Sequence, residues 1–257
     1  MIYGIDIGSR QVKIVFFNEK KNEFIKKIKF DTFEFYNKYG KKINHKLQID
    51  LKSLGILNGE IIATGYGRYN INFDDAKVIP EIQAHYWGAL YQTKLNDFLL
   101  VDLGGQDSKV INVINGKIDD FIMNDKCAAS TGRFIENMSR ILQIPLEQMS
   151  KFYKKPLKIN STCAVFCETE VINLLINGYD IAEIAAGVNY SLFKRLLPMI
   201  KKYNFNHLVF SGGTSKNSAI LHYFKETFNK EIYLLDDPEF NGAIGTVIFY
   251  LNRKSQS

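Results

Sequence analysis

The chain has 257 residues, of which 46% are hydrophobic and 23% charged, and it carries a formal net charge of +6. This composition is ordinary for a globular protein, and the length suits one large domain or two moderate ones. It argues against a transmembrane protein, because no apolar run approaches the roughly 18 residues of a membrane-spanning helix. The N-terminus has no basic and apolar leader, so we expect a cytoplasmic protein without membrane contact.

Lysines cluster between residues 20 and 46, where nine of them stand against three carboxylates. No aromatic-rich nucleic-acid motif accompanies them, so we expect no nucleic-acid partner. The pattern predicts a solvated hairpin and loop. A docking face for an acidic partner protein is the functional alternative.

The N-terminal stretch predicts a β-hairpin around the turn Asp6-Ile7-Gly8-Ser9, because apolar and polar residues alternate around it. Backbone N–H groups of such a turn and the Ser9 hydroxyl can bind a phosphate, and Asp6 is placed to hold a metal ion through water. Alone this signal is weak, since many hairpin turns have the same composition.

A second turn of the same kind follows a predicted buried strand. A helix from Ile82 through about Tyr91, with Pro80 just outside or at its first turn and Glu81 at its start, comes first. The apolar run from Phe98 then ends in Asp102-Leu103-Gly104-Gly105-Gln106-Asp107, after which strand character resumes. Asp-x-Gly thus recurs 96 residues after Asp6. A repeated phosphate-type hairpin is more informative than either copy alone.

Two of the three cysteines stand just before predicted helices. Cys127 precedes Ser130-Thr131-Gly132 and an amphipathic pattern, and Cys163 follows Ser161-Thr162 and precedes another helix. A helix N-terminus favours a thiolate or an anionic metal centre. The ordinary alternative is a pair of inert loop cysteines. Cys167, one helical turn further on, either lines the same side or packs inside, and a reducing compartment argues against disulfides.

Two further glycine patterns lie in the last third of the chain. Ser211-Gly212-Gly213 follows a predicted strand, and the glycines would let a base or ribose approach the backbone closely. Asn217 stands at the start of the next helix. In the final helix, predicted from residue 241 to 251, Gly242 and Gly245 suit close packing against another element.

Together these features resemble the actin, Hsp70 and sugar-kinase ATPase superfamily. Within it, three segments resemble the BadF/BadG/BcrA/BcrD ATPase family, which includes the activators of 2-hydroxyacyl-CoA dehydratases and is related to the ATPase subunits of benzoyl-CoA reductase. The segments are Val-Asp-Leu-Gly-Gly-Gln-Asp-Ser-Lys at 101–109, Asn-Asp-Lys-Cys-Ala-Ala-Ser-Thr-Gly-Arg-Phe at 124–134 and Cys-Ala-Val-Phe-Cys-Glu-Thr-Glu-Val at 163–171. The resemblance runs over essentially the whole chain.

The resemblance implies a two-domain α/β fold of the actin-like, ribonuclease H-like type with duplicated β-hairpin phosphate motifs. It implies a first domain of residues 1–97 plus 240–257, with a returning C-terminal helix, and a second of residues 98–239. ATP with Mg²⁺ is expected between the domains, and Glu81 and Gln106 are expected to orient the attacking water. The residues expected to bind nucleotide and metal are Asp6, Gly8, Ser9, Asp102, Gly104, Gly105, Gln106, Asp107, Gly212, Gly213 and Asn217.

The resemblance also implies a homodimer bridged by one 4Fe-4S cluster, with Cys127 and Cys163 of each subunit as ligands. Cluster chemistry independently requires four thiolates. Cys167 stands where the family usually has a small residue, which leaves open a role as a swapped or auxiliary ligand. Ser130 stands where the family commonly has glycine, which leaves open a slightly different start of the helix. The implied activity is ATP-driven transfer of a low-potential electron from a ferredoxin or flavodoxin to an Fe–S dehydratase or reductase, in anaerobic metabolism.

Two other functions fit the nucleotide motifs. A small-molecule kinase of the same superfamily, acting on a sugar or on pantothenate, would need a base for the substrate hydroxyl and no cluster. A nucleotide-sensing regulator would have lost the cluster. The two cysteine motifs favour the activator, and the brown colour of an Fe–S cluster in anaerobic protein would separate the three.

Overall fold

Two five-stranded sheets with the same strand arrangement organise the chain in this computed structural model, which describes residues 1–43, 46–69, 71–72, 76–124, 131–159 and 163–256. The first sheet belongs to a unit formed by residues 1–94 and 235–257, and the second to a unit formed by residues 95–234. A small three-stranded sheet completes the first unit.

The first unit contains eight strands and three helices among its described residues. Its strands are β1 (Ile2–Ile7), β2 (Gln11–Asn18), β3 (Glu23–Asp31), β4 (Gly40–Ile43), β5 (Lys46–Ile49), β6 (Glu60–Thr64), β7 (Ile71–Asn72) and β8 (Lys77–Val78). Its helices are α1 (Thr32–Tyr39), α2 (Glu81–Thr93) and α8 (Asn241–Ser255). The final helix therefore begins where the sequence predicted it and runs four residues further.

The second unit contains five strands and five helices among its described residues. Its strands are β9 (Phe98–Leu103), β10 (Ser108–Ile114), β11 (Lys117–Asn124), β12 (His207–Ser211) and β13 (Glu231–Leu234). Its helices are α3 (Gly132–Ile141), α4 (Leu146–Met149), α5 (Ala164–Ile176), α6 (Ile181–Lys201) and α7 (Ser218–Thr227). Among the helices that the structure describes, none combines the length and apolar character needed to cross a bilayer.

The two five-stranded sheets repeat one topology. Their strand orders are β3-β2-β1-β6-β8 and β11-β10-β9-β12-β13. In each sheet three consecutive strands are antiparallel neighbours. Two further strands then join in parallel on the other side of the first strand. The repeat predicted from two Asp-x-Gly turns thus extends to the whole sheet, and the predicted hairpins are confirmed.

The lysine-rich segment begins with the predicted hairpin, since β3 pairs antiparallel with β2, and differs from the predicted loop after it. After β3 the chain forms helix α1, because the Asp31 carboxylate accepts the backbone N–H groups of Phe33 and Glu34 and so caps the helix. The N–H of Glu34 is the main cause that holds the pKa of Asp31 below its usual range. Phe35 anchors the helix, since its ring is fully buried.

Two lysines of β3 have carboxylate partners in their own unit. Lys27 pairs with Asp237, and the Lys29 Nζ lies 2.9 Å from a Glu239 carboxylate oxygen. These pairs tie the edge strand to the segment before α8. They also neutralise part of the positive charge that the sequence suggested for a docking face, so contact between this segment and a partner protein stays a prediction.

Glycines let α8 lie directly against α2 and β1. A Cβ on Gly245 would lie 1.6 Å from the Ala84 carbonyl oxygen, and one on Gly88 would lie 2.2 Å from that of Asn241. On the sheet side, a Cβ on Gly4 would lie 2.2 Å from the Ala243 carbonyl oxygen. The close packing predicted for the final helix is therefore confirmed.

We expect Gly245→Ala to destabilise the first unit. The added methyl group would meet backbone of α2 that no side-chain rotation can move, and overpacking of this kind costs about 3 kcal/mol or more of unfolding free energy. Equilibrium urea unfolding measures the loss. Gly213→Ala is the matched control, because a Cβ there would meet no heavy atom within 4 Å. Equal midpoints for the two variants would contradict the prediction.

The core of the second unit joins its sheet to the helices that follow the cysteine segments. Strand β9 contributes Leu99 and Val101, which are fully buried. Residues from α3, α5 and α6 pack in the same cluster, among them Phe134, Met138, Cys167, Val171 and Leu192. Helices α3 and α5 are therefore held in one apolar core with the strand that carries Asp102.

Candidate functional site

The turn between β1 and β2 is tight and carries a buried carboxylate. The Gly8 N–H donates to the Gln11 carbonyl at 3.1 Å, and a Cβ on Gly8 would lie 2.9 Å from the same oxygen. Ser9 is half-buried beside it. Asp6 is only 4% exposed, and one of its carboxylate oxygens lies 3.5 Å from the Lys13 Nζ.

The turn between β9 and β10 repeats this geometry. The Gly104 N–H donates to the Asp107 carbonyl at 3.0 Å, and a Cβ on Gly104 would lie 2.5 Å from an Asp107 carboxylate oxygen. Asp102 is 2% exposed, and its carboxylate lies 3.5 Å from the Lys109 Nζ. Lys109 also reaches the Asp107 carboxylate at 2.7 Å, while Gln106 is exposed at the tip.

Two lysines that the sequence reasoning missed complete these hairpins. Lys13 is directly opposite Asp6 in the β1–β2 register, and Lys109 is opposite Asp102 in the β9–β10 register. Each lysine therefore offsets the charge of a buried carboxylate. The signal was present in the sequence, because a lysine follows each Asp-x-Gly aspartate by seven residues.

Glu81 lies at the first turn of α2, with a side chain that is 25% exposed. One of its carboxylate oxygens is 3.8 Å from Nε2 of His85, a buried histidine one turn further along the helix. A Cβ on Gly242 would lie 3.0 Å from the Asp6 carboxylate and 3.2 Å from His85 Nε2. Asp6, His85 and Glu81 therefore meet in one corner of the first unit, around a glycine of α8.

The Ser211-Gly212-Gly213 turn packs behind the second hairpin. The Ser211 hydroxyl donates to the Asp102 carboxylate at 2.6 Å. Gly212 has φ +85°, and a Cβ there would lie 2.3 Å from the Leu103 carbonyl oxygen, so only glycine fits. Gly213 is exposed, with open space where its Cβ would be. Its backbone is therefore open to a planar group.

The Asn217 side chain has partners within its own unit. Its oxygen accepts the Ile220 N–H at 3.2 Å and so caps α7. Its Nδ2 donates to the Asn189 side-chain oxygen at 2.8 Å, in a buried position. These bonds connect the Gly-Gly turn to α6, and a direct contact between Asn217 and nucleotide stays a prediction.

Helix α3 begins on the second hairpin. The Gly132 N–H donates to the Gly104 carbonyl at 2.9 Å, and the Arg133 N–H donates to the Gly105 carbonyl at 3.0 Å. The predicted apolar face is confirmed, because Phe134, Ile135 and Met138 are buried. Thr131 occupies the N-cap position without a capping side-chain bond. Cys127 and Ser130 lie outside the described residues.

The two described cysteines differ in their surroundings. Cys163 is exposed at the N-cap of α5, whereas Cys167 is fully buried. An exposed thiol at a helix N-terminus fits ligation of an anionic centre that lies outside the chain's own core. Cys167 packs in the apolar cluster instead, which favours packing over an auxiliary-ligand role. Among the residues that the structure describes, no three His, Cys, Asp or Glu side chains gather as metal ligands.

Comparison with known proteins points to one family. The profile of the BadF/BadG/BcrA/BcrD ATPase family matches residues 3–249. The (R)-2-hydroxyglutaryl-CoA dehydratase activating ATPase of Acidaminococcus fermentans is 36% identical over 73% of this chain and 74% of that protein. The 2-hydroxyisocaproyl-CoA dehydratase activator of Clostridioides difficile is 34% identical over 77% of this chain and 76% of that protein.

Solved structures of such activators have the same fold. The Clostridium difficile activator with bound ADPNP superposes with a TM-score of 0.84 at 29% identity, covering 99% of this chain and 96% of that one. Component A of the Acidaminococcus fermentans (R)-2-hydroxyglutaryl-CoA dehydratase gives a TM-score of 0.83 at 30% identity, covering 99% and 100%. The predicted fold class is therefore confirmed.

Kinases are less similar. A type II pantothenate kinase of Bacillus thuringiensis subsp. konkukian is 24% identical over 98% of each chain. A ROK family glucokinase of Streptomyces griseus superposes with a TM-score of 0.55 at 11% identity, covering 95% of this chain and 97% of that one. This last likeness shows the fold alone.

Proposed function

Because the chain belongs to the BadF/BadG/BcrA/BcrD ATPase family, we propose that it is the ATP-hydrolysing activator of a 2-hydroxyacyl-CoA dehydratase or a related reductase. The observation that carries the proposal is the combination of two matched Asp–Lys hairpins with an exposed helix-start cysteine in one chain. The hairpins suit a nucleotide, and the cysteine suits a redox centre. One activator of the same fold was solved with bound ADPNP.

In this proposal the two hairpin turns bind the phosphates of ATP. Backbone N–H groups of a tight glycine turn and a lysine ammonium are the usual donors to phosphoryl oxygens. Asp6 and Asp102 supply the hard oxygen ligands that Mg²⁺ prefers, at the entrance to each turn. Gly213 leaves room for the nucleoside. ATP hydrolysis then depends on positioning and charge compensation rather than on covalent chemistry by the protein.

Glu81 is the proposed group that orients the attacking water, with Gln106 as the second candidate. Glu81→Gln is expected to lower the rate of ATP hydrolysis about 100-fold while ATP affinity stays unchanged, because only the proton-accepting group is lost. Steady-state kinetics and equilibrium binding of a non-hydrolysable analogue measure the two effects. Glu60→Gln, at the far end of β6, should keep the wild-type rate. Unimpaired hydrolysis by Glu81→Gln would assign the role to Gln106 instead.

Cys127 and Cys163 are the proposed ligands of a 4Fe-4S cluster, which would supply a low-potential electron when bound. A cluster of this type needs four thiolates. The chain has three cysteines, and Cys167 lies in the core, so in this proposal two copies of the chain contribute two thiolates each. Val165 and Phe166, which are 68% and 70% exposed beside Cys163, offer apolar surface that a second copy would bury.

The kinase alternative is less well supported. It would leave the exposed Cys163 at a helix start without a role, and it needs a base for a substrate hydroxyl in addition to Glu81. The pantothenate kinase relative is also less identical to this chain than the activators are.

An activation assay tests the proposed function. The anaerobically purified dimer, reduced with ferredoxin or flavodoxin, is mixed with a 2-hydroxyacyl-CoA dehydratase and either ATP or ADP. We expect dehydration to begin only with ATP, because nucleotide can drive transfer only by binding two states of the protein with different affinity. Stoichiometric phosphorylation of pantothenate or a sugar, without activation of any dehydratase, would establish the kinase instead.

A further inference from the structure

The start of α3 is joined to the second phosphate hairpin by two backbone hydrogen bonds. The Gly104 carbonyl accepts from Gly132 at 2.9 Å, and the Gly105 carbonyl accepts from Arg133 at 3.0 Å. These are two of the N–H groups that a helix start leaves without partners in the helix itself. The hairpin turn therefore serves as the cap of the helix that follows the Cys127 segment.

Gly132 is the residue that permits this contact. A Cβ there would lie 2.4 Å from the Thr214 Oγ1, 3.1 Å from the Gly104 carbonyl oxygen and 3.5 Å from the Gly105 Cα. The Thr214 hydroxyl itself donates to the Gly104 carbonyl at 3.3 Å. The phosphate turn, the Gly-Gly turn and the helix start thus converge on a space that only a hydrogen atom fills.

We propose that Gly132 is a positioning residue through which the nucleotide bound at the Gly104–Gly105 turn controls the start of α3. The inference rests on the proposed function, in that phosphate is taken to bind this turn. It goes beyond that function by naming the contact that carries the nucleotide signal toward the cysteine segments.

The chemistry of the peptide group gives the contact its sensitivity. The Gly104 carbonyl and the Gly105 N–H belong to one planar peptide unit, and the Gly105 carbonyl and the Gln106 N–H belong to the next. A phosphate that accepts those N–H groups polarises the two carbonyls on the opposite side. Hydrogen bonds in such a chain strengthen one another, so phosphate at the turn strengthens the bonds from Gly132 and Arg133.

Helix α3 passes the change on to α5, the helix whose N-cap residue is Cys163. Phe134 and Met138 of α3 pack in the same core as Cys167 and Val171 of α5. The two helices are also linked at their surface, where the Asn137 side chain donates to the Glu168 carboxylate at 3.2 Å. Because packed cores shift as units rather than deform continuously, a change at Gly132 reaches both cysteine segments.

The first unit contains a related joint, in which a helix start also bonds the carbonyls of its hairpin turn, without the cysteine segment. There the Thr32 hydroxyl donates to the Gly8 carbonyl at 2.8 Å, and the Thr32 N–H donates to the Arg10 carbonyl at 3.1 Å. Strand β3 runs directly into α1. In the second unit, residues 125–131, which include Cys127, separate β11 from α3. The repeat therefore provides a matched joint that does not lead to a cysteine.

Hydrogen–deuterium exchange of the full-length anaerobic protein tests the inference, read by mass spectrometry on peptides from residues 131–142. The probe is a non-hydrolysable ATP analogue with Mg²⁺, and calorimetry on the same samples gives its affinity. In the wild type we expect the analogue to slow exchange at the start of α3 by at least about fivefold. Gly132→Ala should lose this protection at saturating analogue, because its methyl group pushes the helix off the turn, and should bind the analogue about fivefold more weakly, because the coupling is reciprocal.

Three further variants keep the test decisive. Gly132→Ala combined with Thr214→Ala should regain protection, since the second change removes the atom that the new methyl group meets first. Arg140→Ala, on the exposed face of α3, and Thr32→Ala, in the matched joint, should both keep the wild-type response. Any one of three results would overturn the inference. They are wild-type protection in Gly132→Ala, loss of protection in Thr32→Ala with nucleotide bound, and no recovery of protection in the double variant. Failure of the wild type to bind the analogue at all would overturn the proposed function instead.

Discussion

Replacing Cys163 with serine is expected to remove essentially all iron from the anaerobically purified protein. The wild-type dimer should hold about four irons, the content of a single cluster with four thiolate ligands. Cys163 is the exposed cysteine among the described residues, and its loss would leave only two of the four ligands in a symmetric dimer. Iron and sulfide analysis, together with the visible absorption of the protein, measures the effect. Cys127→Ser should behave in the same way.

Cys167→Ala is the matched control for this experiment. Its side chain is fully buried among apolar residues of α3, α5 and α6, so it is expected to keep the iron and to lose only about 1 kcal/mol of unfolding free energy. Equal iron loss in all three cysteine variants would show that the ligand assignment is wrong.

Asp102→Asn is expected to lower Mg²⁺-dependent ATP hydrolysis by about 100-fold or more, the usual effect of removing one group that stabilises charge in the transition state. It should also lower the unfolding free energy, because Lys109 is 1% exposed and loses one of its two carboxylate partners. Breaking a buried pair outright costs about 3–5 kcal/mol. Lys109 keeps Asp107 at 2.7 Å, so we expect about 2 kcal/mol here.

Asp97→Asn provides the control, since it lies just before the other end of β9 and is exposed. Its side chain accepts the Asn115 N–H, a role that the amide oxygen of asparagine retains. Hydrolysis and urea unfolding of this variant should match the wild type. Unchanged hydrolysis in Asp102→Asn, at saturating Mg²⁺, would contradict the assignment of Asp102 to the metal and phosphate site.

The sequence alone determined the features that depend on neighbouring residues. Both Asp-x-Gly turns, the buried strand that carries Asp102 and a helix from Ile82, which in the structure begins at Glu81, were predicted, because turn chemistry and apolar patterning act over a few residues. Recurrence of the turn predicted the repeat. The prediction of a loop at residues 32–39 was wrong. The segment forms a helix, which depends on the Asp31 cap and on the burial of Phe35 against other strands.

Only the tertiary structure decided which groups meet. Lys13 and Lys109 pair with aspartates because of strand register, and Gly132 touches Thr214 across more than 80 intervening residues. Cys163 and Cys167 stand four residues apart, a spacing that places helical residues on one face. Cys163, however, is the N-cap with φ −111°, outside the helical periodicity, so one thiol is exposed while the other is buried. Such outcomes depend on where whole elements pack; among them, the Asp–Lys pairs left a sign in the sequence as the repeated seven-residue spacing.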